Sequence, residues 1–178
     1  MEFKHIPVLF NESIEALDIK PDGLYTDCTA GGGGHSNAIL DRLSVNGRLV
    51  AIDRDPEAIE TLTKRFEGRE NVSIVNDNFF NIKSILSQFT DEGADGILAD
   101  LGVSSHQLDD AARGFSFHAD APLDMRMDRE QVKTAYDVVN LYSAEELTRI
   151  LRDYGEERFA SKIAHDIVTA RETKPIET

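Results

Sequence analysis

Four consecutive glycines, Gly31 to Gly34, stand between a β-rich run and a helical run. Leu24-Tyr25-Thr26-Asp27-Cys28 reads as a strand, and the stretch after the glycines carries Ile39 and Leu43 on one helical face. Glycine lets a backbone turn sharply and approach a ligand that a Cβ would push away. It also costs backbone entropy on folding, so four in succession are a poor choice for a merely structural turn. A strand, a tight glycine turn and a helix in that order open a parallel α/β sheet whose ligand crevice lies at the carboxyl ends of the strands.

The rhythm continues as that architecture requires. Arg48-Leu49-Val50-Ala51-Ile52 reads as a second strand. Asp55 then suits an N-cap with Pro56 in the first helical position, and Ile59, Leu62 and Phe66 form one apolar stripe. Val72-Ser73-Ile74-Val75 reads as a third strand and Gly96-Ile97-Leu98-Ala99-Asp100 as a fourth, with a helix marked by Ile82, Ile85, Leu86 and Phe89 between them. After Asp100 a long irregular segment, residues 101–125, gives way to helices from about Thr134. There Ser143 and Glu146 have capping-box spacing ahead of Leu147, Ile150 and Leu151, and Phe159, Ile163 and Ile167 recur at every fourth residue. This predicts an α/β domain over residues 1–110 and an irregular and helical lobe over 111–178.

Asp53 sharpens the ligand. It ends the second strand, 20 residues after Gly33, where a carboxylate in this fold accepts hydrogen bonds from a ribose diol. Alone it would read as an exposed strand-end acid; beside the glycine loop the ribose role is favoured. A nicotinamide dinucleotide and S-adenosylmethionine both satisfy these two features. The dinucleotide fingerprint needs Gly or Ala at its third position, and this chain offers Ser36 or Asn37 according to the starting glycine. Asp27, Asp53, Asp77 and Asp100 all fall at or just beyond strand ends. That acid repels a pyrophosphate and favours a cationic sulfonium with its ammonium group. The methyl donor is preferred, with a nicotinamide-dependent oxidoreductase and a non-catalytic nucleotide-binding scaffold as rivals.

With these blocks in place, the chain resembles the bacterial 16S rRNA cytidine-N4 methyltransferase family. The resemblance is carried by His5-Ile6-Pro7-Val8-Leu9, Gly31 to Ser36, Ala51-Ile52-Asp53-Arg54-Asp55-Pro56 and Asp100-Leu101-Gly102-Val103-Ser104-Ser105. It continues through Gln107-Leu108-Asp109-Asp110, Arg113-Gly114-Phe115-Ser116-Phe117 and Pro122-Leu123-Asp124-Met125-Arg126-Met127-Asp128, and ends with Tyr154-Gly155-Glu156-Glu157-Arg158-Phe159-Ala160. It implies a Rossmann-like class I methyltransferase sheet with an inserted helical lobe, S-adenosyl-L-methionine as cofactor, and 16S ribosomal RNA within the small ribosomal subunit as partner. By the same resemblance, donor contacts fall on Gly33, Gly34, His35, Asp53, Phe79, Asp100 and Gln107. Phe79 alone would pass for a core phenylalanine shared with Phe80. His106 departs from the proline usual at that place in the family. The family is longer and returns to its sheet after the helical insertion, so this chain is expected to be an N-terminal piece with an incomplete sheet.

Charge runs against a bulk attraction for RNA. There are 19 Lys+Arg and 33 Asp+Glu, net −14. Residues 1–110 carry 9 basic and 20 acidic side chains, net −11, and residues 111–178 carry 10 and 13, net −3. The second part is therefore the better surface to approach a polyanion. Arg149, Arg152, Arg158 and Lys162 interleave with Glu145, Glu146, Glu156 and Glu157, which reads as a solvated mixed-charge face. His5, His118 and His165 lack metal-ligand spacing, and Cys28 is the only cysteine, so neither metal nor disulfide is expected. Asp124 and Asp128 are as suited to holding the irregular segment through Arg113 or Arg126 as to catalysis, and no catalytic residue is assigned. No apolar run is long enough for a signal or a membrane span, which leads us to expect a cytoplasmic protein.

Overall fold

The computed structural model describes residues 9–178, with the backbone alone for Ser105 and His106. His5 and most of the first resembling block lie outside the described residues, as does the side chain of His106. The chain divides into two compact units, residues 1–102 and 103–178. The sequence pattern alone puts the division at 110/111.

In the first unit the order is α1 (Phe10–Ala16), β1 (Leu24–Asp27), α2 (Gly34–Leu40), β2 (Arg48–Asp53), α3 (Pro56–Arg65), β3 (Val72–Asn76), a 3-10 turn (Phe79–Asn81), α4 (Ile82–Leu86) and β4 (Gly96–Leu98). The four strands form one sheet in the order β3-β2-β1-β4. Every pairing is parallel, with Asp27 in register with both Ala51 and Leu98, and Asp53 with Asn76. The carboxyl ends of all four strands therefore lie along one edge.

Strand β2 explains why the sheet is covered on both faces. Leu49 and Ala51 enter one core cluster with Ile14, Tyr25, Ile39, Leu62 and Phe66, while Val50 and Ile52 enter a second with Ile85 and Leu86. Successive side chains of a strand point to opposite faces, so an unbroken apolar run is what a doubly covered parallel strand requires. The expected helix start at Asp55 is observed: its Oδ1 accepts from the Glu57 N–H at 3.1 Å, with Pro56 in the first turn. Helix α1 has no counterpart in the expected pattern. It is short, has no side-chain cap and buries Ile14 alone. Strand β4 stops at Leu98, two residues short of the expected end.

The second unit holds α5 (Ser105–Asp109), a 3-10 turn (Ala111–Arg113), and then α6 (Ala135–Leu141), α7 (Ala144–Asp153) and α8 (Ala160–Thr173). Arg113 fastens the irregular stretch. It is 1% exposed and donates to the carbonyls of Arg126 at 3.1 Å and Met127 at 3.0 Å. Arg126 grips Asp124 with a two-pronged bond, at 2.9 and 2.7 Å, and this pairing holds the Asp124 carboxyl below the usual carboxylate range. Both α6 and α7 begin with full capping boxes, Thr134 with Asp137 and Ser143 with Glu146. Leu147 of α7 is buried, as are Ala160 and Ala164 of α8, whose small side chains let helices pack closely. The expected stripe on α8 loses its first member, since Phe159 sits at the cap and is exposed.

Candidate functional site

The carboxyl edge of the sheet gathers the acids that the sequence singled out. Asp27 and Asp53 are the last residues of β1 and β2, and Asp77 and Asp100 come one and two residues beyond β3 and β4. The first is not available to a ligand. Asp27 is fully buried, its Oδ2 accepting from the Ser36 hydroxyl at 2.7 Å and its Oδ1 from the Thr29 N–H at 3.2 Å. Burial pushes its pKa up, against the lowering effect of those bonds. Ser36, which breaks the dinucleotide fingerprint, is thus committed to the carboxylate beneath the loop. Burial also lifts the adjacent Cys28 thiol to about 11.

Asp53 faces the glycine loop. Its Oδ2 accepts from the Gly31 N–H at 2.8 Å and its Oδ1 from the Asp55 N–H at 2.9 Å. Each oxygen keeps a further lone-pair direction, since a carboxylate has about four acceptor sites. Asp77 is tied instead to the residues around the 3-10 turn, its Oδ1 accepting from the Asn78 N–H at 2.6 Å and from Asn81 Nδ2 at 2.9 Å, while Asn78 caps the turn by accepting from the Phe80 N–H at 2.9 Å. That turn presents Phe79 and Phe80, 40% and 87% exposed, so neither is the core residue a phenylalanine there could have been. Asp100 is exposed, and its backbone N–H donates to Thr29 Oγ1 at 2.7 Å. Neither Asp53 nor Asp100 is paired with a basic side chain among the described residues.

The glycines divide by role. Gly33 sits at φ 79°, and a Cβ there would approach Arg65 Cδ at 3.0 Å and Leu62 Cδ2 and Phe66 Cζ at 3.1 Å. Its hydrogen side chain is therefore demanded by α3 packing under the loop as well as by its left-handed conformation. At Gly32 a Cβ would meet nothing within 4 Å, while its carbonyl accepts from Arg65 Nη1 at 2.8 Å. Gly34 is the first residue of α2. His35 follows it and is 5% exposed, its ring stacked on Phe10 with centroids 5.2 Å apart and its Nε2 without a hydrogen-bond partner among the described residues.

The structure thus brings Gly33, Gly34, His35, Asp53, Phe79 and Asp100 to one unit and, through the parallel register, to one edge of its sheet. Gln107 belongs to the other unit. It is buried, its Oε1 accepting from the Ser104 N–H at 3.0 Å while its own N–H donates to Ser104 Oγ at 3.2 Å. That reciprocal pair is a capping box at the start of α5, legible as Ser104-x-x-Gln107 and passed over in the sequence. Thr29 was also missed; its spacing two residues after Asp27 is the available signal. Among the described residues no group of three or more His, Cys, Asp or Glu is placed to hold a metal ion, and no helix is long and apolar enough to cross a membrane.

Comparison with known proteins gives a consistent answer. The sequence profile of the MraW methylase family matches residues 2–178. A protein of Clostridium botulinum (strain Kyoto), named ribosomal RNA small subunit methyltransferase H, is 57% identical over 178 residues, 100% of this chain and 58% of that protein. Proteins of the same name from Lachnospira eligens and Clostridioides difficile are each 55% identical over 179 residues, covering 100% of this chain and 57% and 58% of their own lengths. The chain therefore spans rather more than half the length of the curated relatives it matches.

Proposed function

From the premise that the chain belongs to the MraW methylase family, we propose that it binds S-adenosyl-L-methionine and serves methyl transfer to the N4 amine of a cytidine in 16S ribosomal RNA. The observation that carries this reading is the carboxyl edge, where Asp53 and Asp100 stand beside the glycine loop without basic partners among the described residues. Two unneutralised carboxylates suit a cationic ligand and oppose a pyrophosphate. The nicotinamide alternative is not favoured by this electrostatics, by Ser36 or by the family.

The residues fit the donor part by part. Asp53 has acceptor capacity left for a ribose diol after binding the Gly31 and Asp55 amides. Phe79 offers an exposed ring for adenine, and the loop from Gly32 to His35 offers backbone to the methionyl end. Gln107, in the other unit, is assigned to the donor by resemblance alone; its own hydrogen bonds are the capping box with Ser104 at the start of α5. When bound, the sulfonium supplies an electrophilic methyl group. The chain's task is positioning, because an in-line displacement gains most from reactants held in line. The Asp100 carboxylate is an acceptor for an amine N–H, which would raise the nucleophilicity of a nitrogen whose lone pair is drawn into the ring.

The acceptor base must leave its stack or be presented unstacked, at a cost of a few kcal/mol. With net −14 the chain cannot draw that cost from bulk phosphate attraction, so we place recognition in the shape of a nearly assembled small-subunit particle and in residues 103–178. This reading puts the protein in the cytoplasm, with the particles. The test is transfer of labelled methyl from the donor to isolated small-subunit particles, followed by nucleoside analysis. Label in N4-methylcytidine supports the proposal. Label on protein or small molecules, or equal turnover on short naked RNA, would refute it.

A further inference from the structure

Between the two carboxylates of the carboxyl edge lies a residue with no assigned part, Thr29. As β1 ends, the chain is bonded to its neighbours on both sides: the Cys28 N–H donates to the Leu98 carbonyl at 2.8 Å, and the Ala30 N–H to the Ile52 carbonyl at 3.1 Å. Beyond Leu98 the β1–β4 pairing stops. The next donor along that side, the Asp100 N–H, is taken by a side chain, Thr29 Oγ1 at 2.7 Å. The same residue is anchored from below, its N–H donating to the fully buried Asp27. Two residues further on, the loop holds the other acid, through the Gly31 N–H and Asp53 Oδ2 at 2.8 Å. Residues 27–31 thus form a brace: a buried carboxylate fixes its base, one arm ends on Asp53 and the other on Asp100.

We propose that Thr29 is a positioning residue of the donor site, its hydroxyl setting the backbone at Asp100 and so the placement of Asp100 relative to the glycine loop and Asp53. The inference rests on the donor-site reading above. It follows from three facts together. The hydroxyl stands in for a backbone acceptor at the point where the ladder ends. Asp100 is exposed and makes no other hydrogen bond among the described residues. The brace, unlike a surface threonine, is held at its base by a group with no access to water. Loss of the hydroxyl frees Asp100 without removing any packing volume, so the effect falls on ligand binding and local order rather than on the fold.

Thr29→Val is nearly the same shape and lacks only the acceptor. Calorimetric titration of the chain with S-adenosylmethionine and with S-adenosylhomocysteine should show affinity weakened by up to about tenfold, the value of one hydrogen bond. The urea unfolding midpoint should stay within the error of the wild type, and amide exchange at Asp100 should accelerate by about the same tenfold factor. Thr29→Ser keeps the hydroxyl and should restore both readouts, which a requirement for shape alone would not give. If Thr29→Val does not fold, Thr29→Ala carries the same loss with less bulk. Wild-type affinity in Thr29→Val, or Thr29→Ser as impaired as Thr29→Val, overturns the inference and leaves the donor site standing. A wild-type chain that binds neither ligand overturns the donor-site reading, and the inference with it.

Discussion

Gly33→Ala offers a direct physical test of the loop, because its neighbour provides the control. At φ 79° an alanine occupies the left-handed region, which costs roughly 1–2 kcal/mol for a residue with a Cβ. Its methyl would stand 3.0–3.1 Å from two atoms of α3, on Arg65 and Leu62, and one of Phe66 at its carboxyl cap. Arg65 is exposed and can swing aside, whereas Leu62 at 0% and Phe66 at 4% exposure are locked in the core. Forcing a methyl against such a wall costs typically about 1–3 kcal/mol. The sum predicts a loss of about 2–5 kcal/mol in urea unfolding followed by far-UV circular dichroism. Gly32→Ala has ordinary φ and empty space around its Cβ, so it should change stability by no more than about 0.5 kcal/mol, or raise it slightly. Equal effects in the two variants, or a Gly33→Ala protein as stable as the parent, would refute the assignment of Gly33 to α3 packing.

Further outcomes follow from the buried and paired groups. Cys28, with its thiol lifted to about 11, should resist alkylation at pH 8 in the native protein and react once denaturant exposes it, as mass spectrometry of timed aliquots would report. The Asp124 carboxyl is lowered by Arg126, so its stabilisation is complete above the ordinary carboxylate range and is lost as pH falls through the lowered value. Asp124→Asn should therefore cost roughly 1 kcal/mol at neutral pH and progressively less in acid, seen as converging urea midpoints. Arg113→Met removes the donors to the Arg126 and Met127 carbonyls from a residue that is 1% exposed, and should destabilise the second unit by about 3 kcal/mol. Loss of the residue-resolved amide protection of 123–136 before that of β2 would show it.

Much of the first unit was legible because its signals are local. Asp55-Pro56, the unbroken apolar run of β2 and the glycine loop each declare one conformation, and the parallel sheet follows from their order. The end of β4 was overrun because Ala99 and Asp100 read as strand residues, while the observed pairing of Asp100 is to a side chain, Thr29 Oγ1. Helix α1 escaped because one buried isoleucine does not make a stripe. Among the candidate residues, Asp53 lies at the strand end where its spacing puts it, whereas Phe79 is exposed where its type alone suggests the core. Gln107 shows the limit of reading one residue at a time: its first duty is to cap α5 with Ser104, a pairing across three residues. The acidic edge looks uniform in sequence, yet Asp27 is buried against Ser36 and the Asp77 Oδ1 is committed to Asn78 and Asn81, which leaves Asp53 and Asp100 as the pair tied to residues 29–31. Burial and partner choice depend on tertiary packing, which a linear pattern does not encode.

If the carboxyl edge is a site for a cationic methyl donor, isothermal titration with three ligands tests it most directly. Binding of S-adenosylmethionine and of S-adenosylhomocysteine is predicted, with no heat from NADH. Asp53→Ala should weaken both by the roughly 1.5–3 kcal/mol typical of a hydrogen bond to a charged partner. Saturable binding of NADH, or undiminished donor affinity in Asp53→Ala, would contradict the account.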